Sequence, residues 1–141
     1  RKFPLYEELR SIILKTKGVA GVLRNALSGL KGAEFAFIYG SVAAGQETAR
    51  SDIDLMVIGK LPLERLIKAL KEPEKILGRE ISPSLYDRQE IEKRLREKEA
   101  FISRVMQEPK IVLVGEPDGL RELAGKRIDK AVQGRTEADI R

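Results

Sequence analysis

The sequence contains no cysteine and no histidine, and it also lacks tryptophan. Without cysteine and histidine the chain cannot form a disulfide, a thiolate nucleophile, a Ser-His-Asp relay, or a zinc or haem site with the usual ligands. Carboxylates, hydroxyls, amines and guanidinium groups remain for any chemistry. A catalytic metal would therefore be a hard ion bound by oxygen atoms, and Mg²⁺ is the first candidate.

A long apolar run is also absent. No stretch approaches the roughly 18 apolar residues of a membrane-spanning helix, and the basic amino terminus is not followed by the apolar segment of a signal peptide. We therefore expect a cytoplasmic protein with no membrane partner. The 141 residues are 42% hydrophobic, which is enough for one domain with its own core.

Charge of both signs is abundant. The 27 lysines and arginines exceed the 22 aspartates and glutamates, so the net charge is +5. Basic and acidic residues are interleaved, as in Glu90–Glu99, which favours a solvated charged surface over a nucleic-acid groove. High charge with no cysteine and one asparagine, Asn25, is typical of thermophilic proteins and predicts such a source.

Hydrophobic spacing of the helical type recurs along the chain. Pro73 lies inside one of these patterns, where we expect it to end or kink the helix. Asp87 opens the sequence D-R-Q-E, an aspartate-started capping box. The predicted helical segments are Leu5–Leu30 with a break near Gly18, Leu61–Leu77, Asp87 to about Gln107, and a short helix around Gly119–Ala124.

Short apolar runs bounded by glycine or proline predict four strands. The first of them is a continuous apolar run, which indicates a strand buried on both faces. Pro83 in the third segment indicates an edge strand or a bulge. The predicted strands are Glu34–Tyr39, Ile53–Ile58, Arg79–Tyr86 and Lys110–Val114.

The stretch between the first two strands carries the chemically informative residues. Asp52 and Asp54 are two positions apart, and side chains at i and i+2 of a strand point to the same face. Close carboxylates on a buried strand repel each other and lose hydration unless a cation joins them. Gly40-Ser41 follows the first strand, where glycine permits a tight turn and a hydroxyl and free N–H groups can hold phosphate oxygens.

An ordinary structural interpretation treats Ser51-Asp52 as a turn or cap and Gly40-Ser41 as a simple connection. A single D-x-D or a single G-S would favour that structural interpretation over a functional site. The ordered series is more restrictive, because strand, Gly-Ser, about ten residues with an internal glycine, and Ser-Asp-x-Asp on a second strand must all coincide. The sequence therefore predicts a metal and phosphate site, and phosphoryl chemistry.

These motifs resemble the signature of the nucleotidyltransferase superfamily that includes DNA polymerase beta, and the length resembles its minimal members. The resemblance implies an α+β (α/β-like) fold with a small mixed sheet flanked by helices. It also implies transfer of a nucleoside monophosphate from a nucleoside triphosphate to an acceptor. By position, Asp52 and Asp54 would hold Mg²⁺, and the nucleotide would be bound by Gly40, Ser41, Gly45 and Ser51.

The chain departs from the family pattern at two places. The family usually carries a third carboxylate on a later strand, and Ser82 stands at the position we align with it. Glu80, two residues earlier, either substitutes as the third catalytic acid or is a surface ion-pair partner. Many minimal members also carry arginine where this chain has Ala44, which removes a planar phosphate ligand; Arg50 either compensates from the loop or is solvated.

Two functions remain open on the sequence. The first is an active Mg²⁺-dependent transferase, and the second is a degenerate nucleotide-binding or antitoxin-like module that pairs with a protein partner or a second copy. Because the chain starts at Arg1 rather than methionine, we expect an upstream segment, and DNA becomes a partner only if that segment is a DNA-binding domain. The expected organisation is leading helices over 1–30, a nucleotidyltransferase core over 31–115 and a helical tail over 116–141.

Overall fold

The computed structural model of the chain describes residues 18–45 and 52–125. Its strands are β1 (Ala33–Tyr39), β2 (Ile53–Gly59), β3 (Ile81–Tyr86) and β4 (Ile111–Val114). They form one four-stranded sheet in the order β3-β2-β1-β4. The β1 strand pairs antiparallel with β2 and β4, whereas β2 and β3 are parallel. The predicted small mixed sheet is therefore confirmed.

Helices cover both faces of this sheet. They are α1 (Gly18–Leu27), the single turn α2 (Gly40–Ala43), α3 (Leu63–Leu77), α4 (Arg88–Arg96) and α5 (Ala100–Gln107); residues 117–125 are also helical. In the described part of the chain, no helix has the length and apolar character needed to cross a membrane.

The central strands explain why two stretches of the sequence are almost entirely apolar. Phe37 and Ile38 are adjacent in β1 and both fully buried, because one faces each side of the sheet. The Ile38 side packs with α1 and α3, and the Phe37 side packs with α4, α5 and the helical residues 117–125. Burial of both faces removes the polar alternation that an exposed strand shows.

The β3 strand lies at the edge of the sheet, as Pro83 predicted. Among the strands of the described residues it pairs only with β2, in the register Ile53↔Ile81 and Leu55↔Pro83. A proline has no N–H to donate, so an edge strand is where it removes least from the ladder. In the long connection between β1 and β2, α2 forms a single helical turn.

One helical prediction was wrong, and one of the two outcomes expected for Pro73 is excluded. The segment predicted as one helix up to Gln107 is divided into α4 and α5, with Lys98 at φ 56° between them and the Glu99 carboxylate accepting a hydrogen bond from the Ile102 N–H at 3.0 Å. Residues 96–99 have no apolar side chain to bury, and the Glu99 cap begins a new helix there. Pro73 does not end α3, which continues to Leu77 and terminates at the left-handed Gly78.

Other parts of the prediction hold or fall outside the structure. The capping box at Asp87 is present, with the Asp87 carboxylate accepting from the Glu90 N–H at 2.8 Å and the Glu90 carboxylate accepting from the Asp87 N–H at 3.1 Å. The α1 helix confirms the second half of the leading segment. The predicted helix before Gly18 and the tail after Gly125 lie outside the described residues.

We expect Asp87→Ala to lower the free energy of unfolding by about 1 kcal/mol, because the first turn of α4 loses its capping acceptor. The change is measured by urea unfolding. Asp118→Ala is the control, because the Asp118 side chain is 91% exposed and surface changes of this kind are usually within about 0.5 kcal/mol. Equal losses in the two variants would contradict a stabilising role for the cap.

Candidate active site

The predicted site residues meet at one edge of the sheet. Because β1 and β2 are antiparallel, the end of β1 lies beside the start of β2, and Tyr39 pairs with Asp54. Because β2 and β3 are parallel, Asp54 also pairs with Ser82 on its other side. Neighbouring residues in register point to the same face of a sheet. Tyr39, Asp54 and Ser82 therefore form a row across three strands, on the face covered by α4 and α5.

The two aspartates differ in their surroundings. Asp54 lies within β2 and is half-buried, whereas Asp52 immediately precedes the strand and is exposed. Burial raises the pKa of the Asp54 carboxyl above its usual value, and the charges of Asp52 and then Glu108 raise it further. Each of these causes disfavours the ionised form, and a bound cation would oppose all of them. The acid pair thus has the electrostatics of a cation site.

Gly40 lies against the Asp54 carboxylate. Its φ is +76°, a left-handed value that side chains rarely adopt, and a Cβ at this position would overlap the Asp54 Oδ2 atom. Both the backbone conformation and the close approach therefore require glycine. This contact joins the two halves of the predicted motif, because the Gly-Ser turn and the acid pair meet at a single point.

The remaining nucleotide-binding candidates follow Gly40 along the chain. Ser41 is half-buried in the single turn α2, and that turn is closed by the Ala44 N–H donating to the Gly40 carbonyl at 3.0 Å. Gly45 is exposed, with φ +74° and open space where a Cβ would stand. Ser51 and Arg50 lie outside the described residues, so their predicted roles stay predictions.

The position aligned with the third carboxylate is beside Asp54, and it holds Ser82. Glu80 is exposed and precedes β3; its carbonyl accepts a hydrogen bond from the Ile53 N–H at 2.9 Å. Among residues 18–45 and 52–125, no group of three or more acidic, histidine or cysteine residues is arranged to hold a metal. A catalytic role for Glu80 thus remains a prediction.

Sequence reasoning missed several side chains near this edge. The Tyr39 ring meets the Phe101 ring edge-on, with centroids 6.1 Å apart. Burial raises the pKa of the Tyr39 hydroxyl, although its hydrogen bond with the Ser84 side chain opposes the shift. Arg104 lies over the Phe101 ring and pairs with Glu108. The sequence did place three of these residues on one helix face, since Phe101, Arg104 and Glu108 have the spacing i, i+3, i+7. It could not show that α5 packs on the sheet with this face toward the site.

The Gly-Ser turn thus lies against Asp54, one member of the predicted acid pair, at the edge of a mixed four-stranded sheet. The family model described as polymerase beta, nucleotidyltransferase, matches residues 22–113, from α1 to β4. The match covers more than half of the chain and includes Gly40, Ser41, Asp52 and Asp54. The chain belongs to this family, and its enzyme class is nucleotidyltransferase.

Solved structures share the fold at low sequence identity. A toxin–antitoxin crystallised with AMP-PNP is 14% identical, with a TM-score of 0.52, and the match covers 86% of this chain and 98% of that one. A mutant of the toxin–antitoxin MntA-HpeT matches with a TM-score of 0.55 at 14% identity and the same coverage. A protein from Shewanella oneidensis matches with a TM-score of 0.51 at 14% identity, covering 89% and 99%. No curated protein matches the sequence.

The contact between Gly40 and Asp54 yields a prediction with a matched control. Gly45→Ala introduces a side chain at a left-handed φ in open space, and we expect it to lower the free energy of unfolding by about 1–2 kcal/mol. Gly40→Ala has the same backbone penalty and also overlaps Asp54. We expect it to lose about 1–3 kcal/mol more, as overpacking does, in urea unfolding.

A double variant separates the two contributions. Asp54→Ala in the Gly40→Ala background removes the overlapping carboxylate, so it should recover the additional loss but not the backbone penalty. Equal losses of unfolding free energy for Gly40→Ala and Gly45→Ala, or no recovery in the double variant, would show that the contact does not affect stability.

Proposed function

We propose that this nucleotidyltransferase is Mg²⁺-dependent and transfers a nucleoside monophosphate from a nucleoside triphosphate to an acceptor hydroxyl. Asp52 and Asp54 would hold the ion, and Gly40, Ser41, Gly45 and Ser51 would contact the triphosphate. The supporting observation is the half-buried Asp54 carboxylate, which lies against Gly40 and whose pKa is raised by burial and by the charge of Asp52. Such a pair has a net electrostatic penalty until a cation joins it.

The two oxygen-donor side chains fit a hard divalent ion. Asp52 and Asp54 would hold Mg²⁺ through their carboxylate oxygens, and the ion would supply positive charge beside the phosphate groups of the nucleotide. The absence of a side chain at Gly40 leaves the turn close to Asp54, and the Ser41 hydroxyl lies at the start of the same turn, where it can donate to a phosphate oxygen.

The reaction forms a bond between the acceptor oxygen and the α-phosphorus while the bond to pyrophosphate breaks. The acceptor hydroxyl also loses a proton, and this step distinguishes the chain from the family pattern. The Ser82 hydroxyl can hydrogen-bond beside Asp54, but it is not a base. We assign proton acceptance to Glu80, the carboxylate directly before β3, with bulk water as the final destination of the proton.

The second candidate function is a regulatory module that binds nucleotide and a protein partner. It is favoured by serine at position 82 and by the shared fold with toxin–antitoxin proteins, one of them crystallised with AMP-PNP. The same comparison makes ATP the first nucleotide to test and a protein hydroxyl the first acceptor. The comparisons provide no support for DNA as a partner.

We expect Asp52→Asn and Asp54→Asn each to lower Mg²⁺-dependent transfer by about 100-fold or more, since each removes a charge that holds the ion in the transition state. Transfer is measured with ATP labelled at the α-phosphate, and binding by calorimetry with and without Mg²⁺. Asp118→Asn is the control. Undiminished transfer in either aspartate variant would refute the proposed site, whereas Mg²⁺-dependent ATP binding without transfer to any acceptor would favour the regulatory module.

Asp54→Asn should not reduce stability. The pKa of Asp54 is raised in the folded chain, so the folded state binds its proton more tightly than the unfolded state does. The contribution of this group to stability is therefore largest at low pH and falls as the pH rises through the folded pKa. At pH 7 the ionised side chain is destabilising, and its replacement by asparagine should leave the unfolding midpoint unchanged or higher.

Ser82→Asp tests the missing carboxylate. An aspartate at this position would stand in register beside Asp54, and we expect tighter Mg²⁺ binding and faster transfer. If Glu80 accepts the proton, Glu80→Gln should slow transfer by about 100-fold or more in the unaltered chain, and by much less in the Ser82→Asp background. An equal effect of Glu80→Gln in both backgrounds would remove Glu80 from the mechanism.

A further inference from the structure

The carboxyl end of α5 brings a charged pair to the edge of the sheet that holds the acid pair. Arg104 Nε lies 3.5 Å from Glu108 Oε2, one helical turn away. The Lys110 ammonium donates to the carbonyls of Met106 at 2.6 Å and Glu108 at 2.9 Å. These bonds satisfy carbonyl groups at the end of α5. The bond to the Glu108 carbonyl also holds the backbone of Glu108 in place.

Aromatic contacts connect this pair to the site. The Arg104 guanidinium carbon lies 5.7 Å from the centroid of the Phe101 ring, and that ring meets Tyr39 edge-on. Tyr39 pairs in register with Asp54. The Arg104–Glu108 pair is therefore connected, through Phe101 and Tyr39, to the edge of the sheet that carries Asp54.

A nucleoside triphosphate needs positive charge, and the described residues of the Gly-Ser turn and of the acid pair do not supply it; Arg50, which lies between them in the chain, is outside the described residues. Residues 40–45 and 52–59 contain two aspartates and no lysine or arginine. Within the part of the chain that the structure describes, the fold directs Arg104 to this edge. Its side chain is 64% exposed. A planar guanidinium can make two parallel hydrogen bonds to a phosphate group.

We propose that Arg104 binds the polyphosphate of the nucleotide, and that Glu108 holds its guanidinium in the free protein and competes with phosphate for it. The inference rests on the proposed function and adds to it a residue that distinguishes a triphosphate from a monophosphate. An exchange of partners is energetically accessible, because an exposed ion pair contributes little to stability. The Phe101 ring restricts the guanidinium through a cation–π contact during the exchange.

The test is calorimetric binding of ATP and AMP, each with Mg²⁺, to the full chain and its variants. Arg104→Gln should weaken ATP binding by about 10- to 100-fold, the loss expected for a charged hydrogen-bonding partner. AMP binding should change by less than about 3-fold, since it lacks the β- and γ-phosphates. Arg104→Lys should recover ATP binding only in part, because lysine retains the charge but not the paired geometry.

Glu108→Gln is predicted to have the opposite effect on ATP binding. It removes both the competing acceptor and a negative charge near Asp54, so ATP binding should strengthen by about 2- to 5-fold. The same substitution weakens binding if Glu108 is instead a ligand of the cation, and that outcome would overturn the proposed competition.

Arg88 supplies the matched control. Its guanidinium carbon is also 5.7 Å from a phenylalanine ring, that of Phe35, and it pairs with Glu34 at 3.2 Å, but Glu34 lies near the opposite end of β1. Arg88→Gln should leave ATP binding unchanged. Equal effects of the two arginine substitutions, or equal weakening of ATP and AMP by Arg104→Gln, would overturn the inference.

The result separates the inference from the proposed function. If Asp52→Asn abolishes Mg²⁺-dependent ATP binding while Arg104→Gln and Arg104→Lys have no effect, the site stands and the role of Arg104 is refuted. If the unaltered chain shows no Mg²⁺-dependent ATP binding, the proposed function fails, and the inference about Arg104 fails with it.

Discussion

The approach of Gly40 to the Asp54 carboxylate is the constraint on which the site depends. It requires a left-handed backbone at the end of β1, glycine at that position, and an antiparallel register that puts Tyr39 opposite Asp54. A register shift by one residue would move the Asp54 side chain to the other face of the sheet. The packing of β1 and β2 holds this register, because the same shift would exchange the side chains that meet the two helical layers, and the two sets differ in size and shape.

The centre of the sheet is packed with apolar side chains, whereas one of its edges carries the polar side chains of the candidate site. Its first two strands are central and apolar on both faces, so their ends are held by packing from two helical layers. The polar row of Tyr39, Asp54 and Ser82 begins where this packing ends. A carboxylate placed there is half-buried, which makes its charge costly for folding. The side chain whose charge the fold disfavours is therefore the one to which the proposed function assigns the cation.

Family membership and local geometry answer different questions. The family match places the chain among nucleotidyltransferases, whereas the structure shows how this chain differs at the site. Serine stands in register beside Asp54, and the elements that carry the Gly-Ser turn and the acid pair contain no basic residue. The α5 helix brings an arginine and a glutamate to the same edge. The charges acting at the site thus come from two regions that are far apart in the chain.

The sequence by itself determined the strands, the Gly-Ser turn and the acid pair, because burial on both faces, glycine and close carboxylates leave local patterns. It also limited Pro83 to an edge strand or a bulge, and the structure shows the edge. Only the tertiary structure decided that β1 and β2 are antiparallel neighbours, that Ser82 lies beside Asp54, and that the helix predicted up to Gln107 divides near Lys98. It also directed Arg104 and Glu108 to the site. Strand pairing and the packing of a helix on a sheet bring together residues that are distant in the chain. Local periodicity reports only which residues share a face of one element, so it does not show which distant residues meet.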